Sequence, residues 1–366
     1  MRRFSFGFLI SSLVLVCAVF FSASPVFAQV DESAPADAKE PASEATSHFS
    51  LNEVLVHHLM DGPIFEWNIG GRKVRPADPE FHTDSYRRYT FKDDQGLYKW
   101  QGGLPMHITR RVAMMWLIGV LLLALFVPAA RKIAKDYKKV NGRYAGMVES
   151  MVNYARHDLA ESNMEHASLG FIAYIMTAFF FILFANLLGL FPPVGEIIDI
   201  TGNLISGHPI DHHAGVGELP PAVIALWPGI TVTGDIAVTL SLSLITVILI
   251  YAAGFKYQGV QFIWHSVPGG VPWILFPIMW PIEFIIGPLA KGFALMIRLL
   301  ANMTAGHVII LVLVGFIFQY RSWGLVPVSM LGMGAIYVLE ILVAVLQAFI
   351  FSLLSAIFIG LSMHRH

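Results

Sequence analysis

Residues 291–313 read KGFALMIRLLANMTAGHVIILVL, an apolar run long enough to cross a bilayer with an arginine, Arg298, near its centre. A helix needs about 20 predominantly apolar residues to span the hydrocarbon. Placing a charge at that depth costs roughly 2.5–3.5 kcal/mol on insertion scales, so an intramembrane Arg is a functional hypothesis whose partner has to be found. The structural alternative is an Arg that snorkels to the interface. That suits Lys291, at the edge of the run, better than Arg298, which lies seven residues further in.

The rest of the 366-residue chain agrees with a membrane reading, being 56% hydrophobic and 13% charged, where soluble domains carry about a quarter charged residues. The net charge of -1 says nothing about nucleic acid, but no basic cluster is interleaved with aromatics as a nucleic-acid surface requires. One cysteine, Cys17, excludes an internal disulfide and a cysteine-based metal site.

Residues 1–28 open with Arg2 and Arg3, continue through an uncharged run and end SASPVFA, the layout of a signal peptide cut after Ala28. An uncleaved anchor helix is the competing reading. Residues 29–47, rich in Ala, Pro, Ser and acids, form a disordered tether, because they have too little apolar surface to offset chain entropy. Residues 48–107 make a small periplasmic region: FSLNEVLVHHLMD has helical spacing, and turn signals frame TFKDDQGLYKW as hairpin material. His57 and His58 are adjacent, so on a helix they diverge and make a poor metal pair.

From residue 108 to the end the expected fold is all-α, a five-helix integral membrane domain. The spans fall at about 112–130, 169–191, 236–255, a long fourth helix, and 325–363. The last is longer than the hydrocarbon core and has to tilt or protrude. Seven basic residues, Arg131, Lys132, Lys135, Lys138, Lys139, Arg143 and Arg156, precede the second span, whereas 192–232 has no Lys or Arg. The positive-inside rule puts the first segment in the cytoplasm and the second outside, with the N-terminus outside and the C-terminus cytoplasmic. Apolar residues recurring from Ile133 to Met151 predict an amphipathic helix along the membrane surface. In the outer loop, Glu196 and HPIDHH lack a second ligand motif and read as a solvated segment. Asp235 opens the third span, where a carboxylate suits the helix dipole. Pro288 sets the beginning of the fourth helix or kinks it.

On the helix wheel Gly287, Lys291, Ala294, Ala301 and Ala305 fall within about 60° of Arg298. Small residues allow close approach of another helix. A partner helix with its own carboxylate would supply the anion that this stripe lacks. Two further polar residues, Glu340 and Gln347, share a face of the last helix. In an antiparallel pair, Arg298 opposite Gln347 and His307 opposite Glu340 imply registers that agree to within about half a turn. His307 beside Glu340 reads as a proton relay or as a structural ion pair. Asn302, one turn from Arg298, is placed to bond the neighbouring helix or to line the same aqueous path.

The segments RLLANMTAGH (298–307), EILVAVLQAF (340–349), NLLGLFP (186–192) and TGDIAVTLSL (233–242) resemble subunit a of the membrane sector of bacterial rotary ATP synthases. The resemblance covers roughly 107–366. It implies a proton-conducting stator in the bacterial cytoplasmic membrane, pressed against a ring of small hairpin subunits with one carboxylate each. A peripheral-stalk subunit would be a partner, with the catalytic head reached indirectly. Arg298 matches the arginine that attracts the ring carboxylate and separates two offset half-channels. His307 and Glu340 match the interacting pair of the outer half-channel, and Gln347 and Asn302 the polar residues near the arginine. Ala237 stands where many relatives carry Asn and Gly189 where some carry an acid, which leaves Asp235 or Glu196 for the outer half-channel. The spacing from Glu283 to Arg298 is one residue longer than usual. The resemblance implies no cofactor, metal or nucleotide site in this chain, and no Walker loop is present. The alternative is a stand-alone secondary transporter using Arg298 to bind an anionic substrate, but no repeated pair of broken helices supports it.

Overall fold

The computed structural model describes residues 63–65, 68–78, 91–93, 95–102, 104–105, 108–135, 142–164, 169–191, 230–267, 272–320 and 325–363. The expected signal peptide, the tether, the helix over FSLNEVLVHHLMD and nearly all of the 192–232 loop, Glu196 included, lie outside those residues.

The described residues begin with short strands: β1 (Pro63–Phe65), β2 (Asn68–Ile69), β3 (Arg72–Val74), β4 (Phe91–Asp93), β5 (Gly96–Gln101), β6 (Leu104–Pro105) and β7 (Ile108–Thr109). The hairpin expected in TFKDDQGLYKW is β4–β5, with Phe91 opposite Tyr98. The sequence had not indicated the long-range pairings β3–β5 and β1–β7, both antiparallel. Lys73 lies over the rings of Tyr98 and Trp100, at 4.3 and 5.6 Å from their centroids, so part of what buries Tyr98 is the stem of a cation. β7 runs directly into the first helix.

The α-helices that follow among the described residues are α1 (Arg110–Lys135), α2 (Gly142–Tyr154), α3 (Leu169–Gly189), α4 (Ile236–Gln258), α5 (Phe262–His265), α6 (Phe276–Pro281), α7 (Gly287–Tyr320) and α8 (Leu325–Met363). Among the described residues five stretches are long and apolar enough to cross a membrane: Arg110–Lys135, Leu169–Gly189, Ile236–Trp264, Phe276–Ile310 and Pro327–Met363. The chain is an all-α multi-pass membrane protein with the five expected spans. α1 continues past its expected end at residue 130, because Arg131, Lys132 and Lys135 are good helix formers and its last-turn cations, Lys132 and Lys135, favour the helix C-terminus.

α3 is the most enclosed of the spans. It is apolar all round, as a helix enclosed by neighbours should be, and buries Ile175, Met176, Phe180, Phe181 and Ile182. α8 packs along α3, α4 and α7, while α7 packs along α4 and α8. The expected amphipathic surface helix is present in part as α2, held to α1 by the Tyr144 hydroxyl donating to the Leu125 carbonyl. Its large apolar side chains Tyr144, Met147 and Tyr154 stay exposed.

Beyond α2 the chain makes a π-helical turn, Ala155–Ala160, and a 3-10 turn, Glu161–Asn163. Arg156 and His157 both engage Glu161 there, each at 2.6 Å. The end of α8 nests on this turn: a Cβ at Gly360 would overlap the backbone carbonyl of Asn163. Gly360→Ala should therefore destabilise the protein by about 1–3 kcal/mol, the usual cost of overpacking. A lower thermal unfolding midpoint in detergent would show it, and an unchanged midpoint would mean that the turn yields without cost.

Candidate functional site

The site is built on α7 and α8, two long antiparallel helices whose contact carries the polar residues. Arg298 is half-buried, and its Nη1 is shut off from solvent with no hydrogen-bond partner among the described residues. No carboxylate pairs with it among those residues. On the same face, Ala294, Ala301 and Ala305 are exposed, so the small-residue stripe is uncovered among the described residues. Lys291 behaves differently. Its Nζ lies 5.3 Å from the Phe358 ring centroid on α8, which accounts for that charge within the chain.

The register of the two helices follows the expectation. Asn302 Nδ2 donates to Gln347 Oε1 at 2.8 Å, which puts Gln347 one turn from Arg298. Gln347 is 2% exposed and its Nε2 is shut off with no partner among the described residues. Glu340, 5% exposed, packs onto the α7 backbone where that helix has no side chain. A Cβ at Gly306 would overlap its carboxylate and lie 2.7 Å from its Cδ. Both Glu340 oxygens are shut off from solvent, with no partner among the described residues. His307 is the next residue of α7, so the structure brings its backbone to the depth of Glu340. The His307 side chain lies outside the described residues.

Asp235 is in place, though its carboxylate is already engaged. It caps α4, Oδ1 accepting from the Ala237 N–H at 2.7 Å. Its Oδ2 pairs with Arg111 Nη1 at 2.6 Å, fastening the first turn of α1 to the start of α4. Among the described residues no group of three or more His, Cys, Asp or Glu is arranged to hold a metal ion.

Sequence reasoning missed a second polar connection. Asn186, fully buried near the end of α3, donates through Nδ2 to the Ala344 carbonyl of α8 at 3.2 Å and accepts at Oδ1 from the Thr233 hydroxyl at 2.6 Å. A lone Asn in the apolar run of 169–191 was the available signal, since a buried amide in a membrane has to find partners. Gly189 sits beside it, and a Cβ there would lie 2.6 Å from Thr231 Cα. That backbone leaves no room for the acid considered at this position. Tyr337 closes the group, its hydroxyl donating to the Leu190 carbonyl at 3.1 Å. Asn186 on α3 and Glu340 and Gln347 on α8 are thus polar side chains buried inside the bundle.

Residues 112–360 match the family described as ATP synthase A chain. The chain is 35% identical to ATP synthase subunit a of Chloroherpeton thalassium, over 71% of this chain and 68% of that one. It is 34% identical to ATP synthase subunit a 2 of Chlorobaculum tepidum, over 85% and 72% of the two chains. With ATP synthase subunit a of Chlorobium phaeobacteroides it shares 32% identity over 99% and 96%. With two thirds of its residues inside the family match and relatives aligned over most of its length, the chain belongs to the ATP synthase subunit a family.

Proposed function

We propose that this chain is the proton-translocating stator subunit of a bacterial ATP synthase and that Arg298 is the charge against which a ring of carboxylate-bearing subunits turns. The observation that carries the reading is Arg298 itself: a guanidinium with a shut-off nitrogen, no carboxylate among the described residues, and an uncovered stripe of Ala294, Ala301 and Ala305 beside it. At an effective dielectric constant of about 20, a carboxylate at about 4 Å would gain about 4 kcal/mol from that charge. A ring carboxylate that has lost its proton is drawn to Arg298 and cannot move on into lipid while ionised. It has to take up a proton before it leaves, and it does so on the side from which protons arrive.

In this reading Glu340 and His307 hand protons from the outer path to the ring carboxylate. Asn302, Gln347 and the Asn186–Thr233 pair hold the polar lining between them. Release on the other side of Arg298 completes the transfer, so each passing carboxylate carries one proton across. Asp235, locked to Arg111, and Glu196 belong at the outer mouth. The basic segment from Arg131 to Arg156 supports a cytoplasmic position for that end of α1, hence an N-terminus outside and a C-terminus inside the bacterial cytoplasmic membrane. The peripheral stalk is a further partner, with the catalytic head coupled through it. The relatives' identity as ATP synthase subunits removes the support for the stand-alone transporter.

Ala294→Cys or Ala305→Cys should crosslink to a ring subunit in native membranes. Val120→Cys, on the exposed flank of α1, should not. An intact complex in which neither alanine position crosslinks would overturn the reading.

A further inference from the structure

The helix that carries Arg298 is clasped at its base by a group of aromatic residues that the mechanism above does not use. The origin lies in Pro288, the second residue of α7. A proline has no N–H to give to the carbonyl four residues back, and its ring pushes that carbonyl aside. Here that carbonyl belongs to Phe284. The turn leading to it, Ile282–Ile286, is π-helical, with the Gly287 N–H reaching back five residues to the Ile282 carbonyl. Such a turn takes one residue more than an α-turn and so accommodates an added residue between Glu283 and Arg298.

Tyr251 of α4 supplies the missing donor. Its hydroxyl donates to the Phe284 carbonyl at 2.6 Å. The Phe284 ring lies 5.4 Å from Tyr251, 5.7 Å from Phe262 and stacks on Trp280 at 5.3 Å. Trp280 donates through Nε1 to the Ile263 carbonyl at 2.8 Å. Phe262 in turn sits in a notch of α4, because a Cβ at Gly254 would come within 2.5 Å of its ring. One hydroxyl therefore ties the irregular base of α7 to α4, and three rings fill the space around it.

We propose that Tyr251 is a positioning residue for Arg298, acting through the Phe284 carbonyl to set the roll of α7 about its axis. This rests on the reading of Arg298 as the partner of a ring carboxylate. The ring-facing side of α7 is uncovered among the described residues, so contacts on the other side oppose a roll as the ring pulls past. A roll of about 20° would carry a group about 6 Å from the helix axis through about 2 Å. A misplacement of about 1 Å can cost about a hundredfold in rate. Arg298 lies fourteen residues beyond Phe284, about 21 Å along the helix, and α7 runs without a break between them after Pro288.

The test uses the assembled ATP synthase in inverted membrane vesicles, comparing ATP-driven proton pumping with ATP hydrolysis. Tyr251→Phe keeps the ring and removes the donor. Pumping per ATP hydrolysed should fall about three- to tenfold, the equivalent of one lost hydrogen bond, with the amount of this subunit in the complex unchanged. Adding Pro288→Ala restores a backbone N–H for the Phe284 carbonyl, and pumping should recover. Subunit content, measured in both variants, separates this recovery from a general gain in stability. Wild-type pumping in Tyr251→Phe, a loss that tracks missing subunit, or no recovery in the double variant would each overturn the proposal. Arg298→Ala in the same vesicles separates the two readings. If it is inactive while Tyr251→Phe pumps normally, only the positioning role falls; if it pumps normally, the reading of Arg298 falls as well.

Discussion

Arg298→Ala should abolish ATP synthesis in energised membrane vesicles while leaving the complex assembled. The substitution removes the charge at the centre of the α7 face that carries Ala301 and Ala305. With it goes an attraction of about 4 kcal/mol for a ring carboxylate, equivalent to about a thousandfold in a rate or an equilibrium. Two effects follow together. The ionised carboxylate loses the group that stabilises it, and protons lose the barrier between the two paths. Synthesis should therefore drop to background, and passive proton leak should rise. The substitution should not harm the fold, because the Arg298 Nη1 makes no hydrogen bond to the described residues and the neighbouring side chains on that face are small. Coupled synthesis at wild-type levels would refute the proposed mechanism.

Glu340→Gln should cut proton pumping at least as deeply as the loss of a positioned proton carrier, about a hundredfold or more. The change is nearly isosteric, so it tests protonation and not packing. Packing is the concern here, since Glu340 lies against the backbone of Gly306 and any bulkier residue at either position would part α7 from α8. A glutamine fills the same space and cannot pass a proton on. ATP-driven quenching of a pH-sensitive dye in vesicles reads the effect, with subunit content as the control. Pumping unchanged at normal assembly would leave Glu340 a packing residue and put the outer path elsewhere.

Much of the membrane domain was legible before any coordinates. Long apolar runs show themselves because a span needs about 20 residues with few charges, and α8 begins and ends at the residues expected, 325 and 363. The register of α7 against α8 was also accessible, because sparse polar residues in two otherwise apolar helices have few ways to meet. The Asn302–Gln347 hydrogen bond and the Gly306–Glu340 approach realise it. The pairing of β3 with β5 was not accessible. Strands of three and six residues carry too little pattern to specify a partner more than twenty residues away.

What the sequence determined by itself was the class of the protein, its five spans and the charge at its centre, since hydrophobicity and helical periodicity are local properties. Only the tertiary structure decided how that charge is held and what surrounds it. Arg111 reaches Asp235, Asn186 reaches Ala344, and Tyr251 reaches a carbonyl displaced by Pro288. Each joins residues at least 33 apart in the chain, and each exists because a polar group inside a membrane has to find a partner that no local rule identifies.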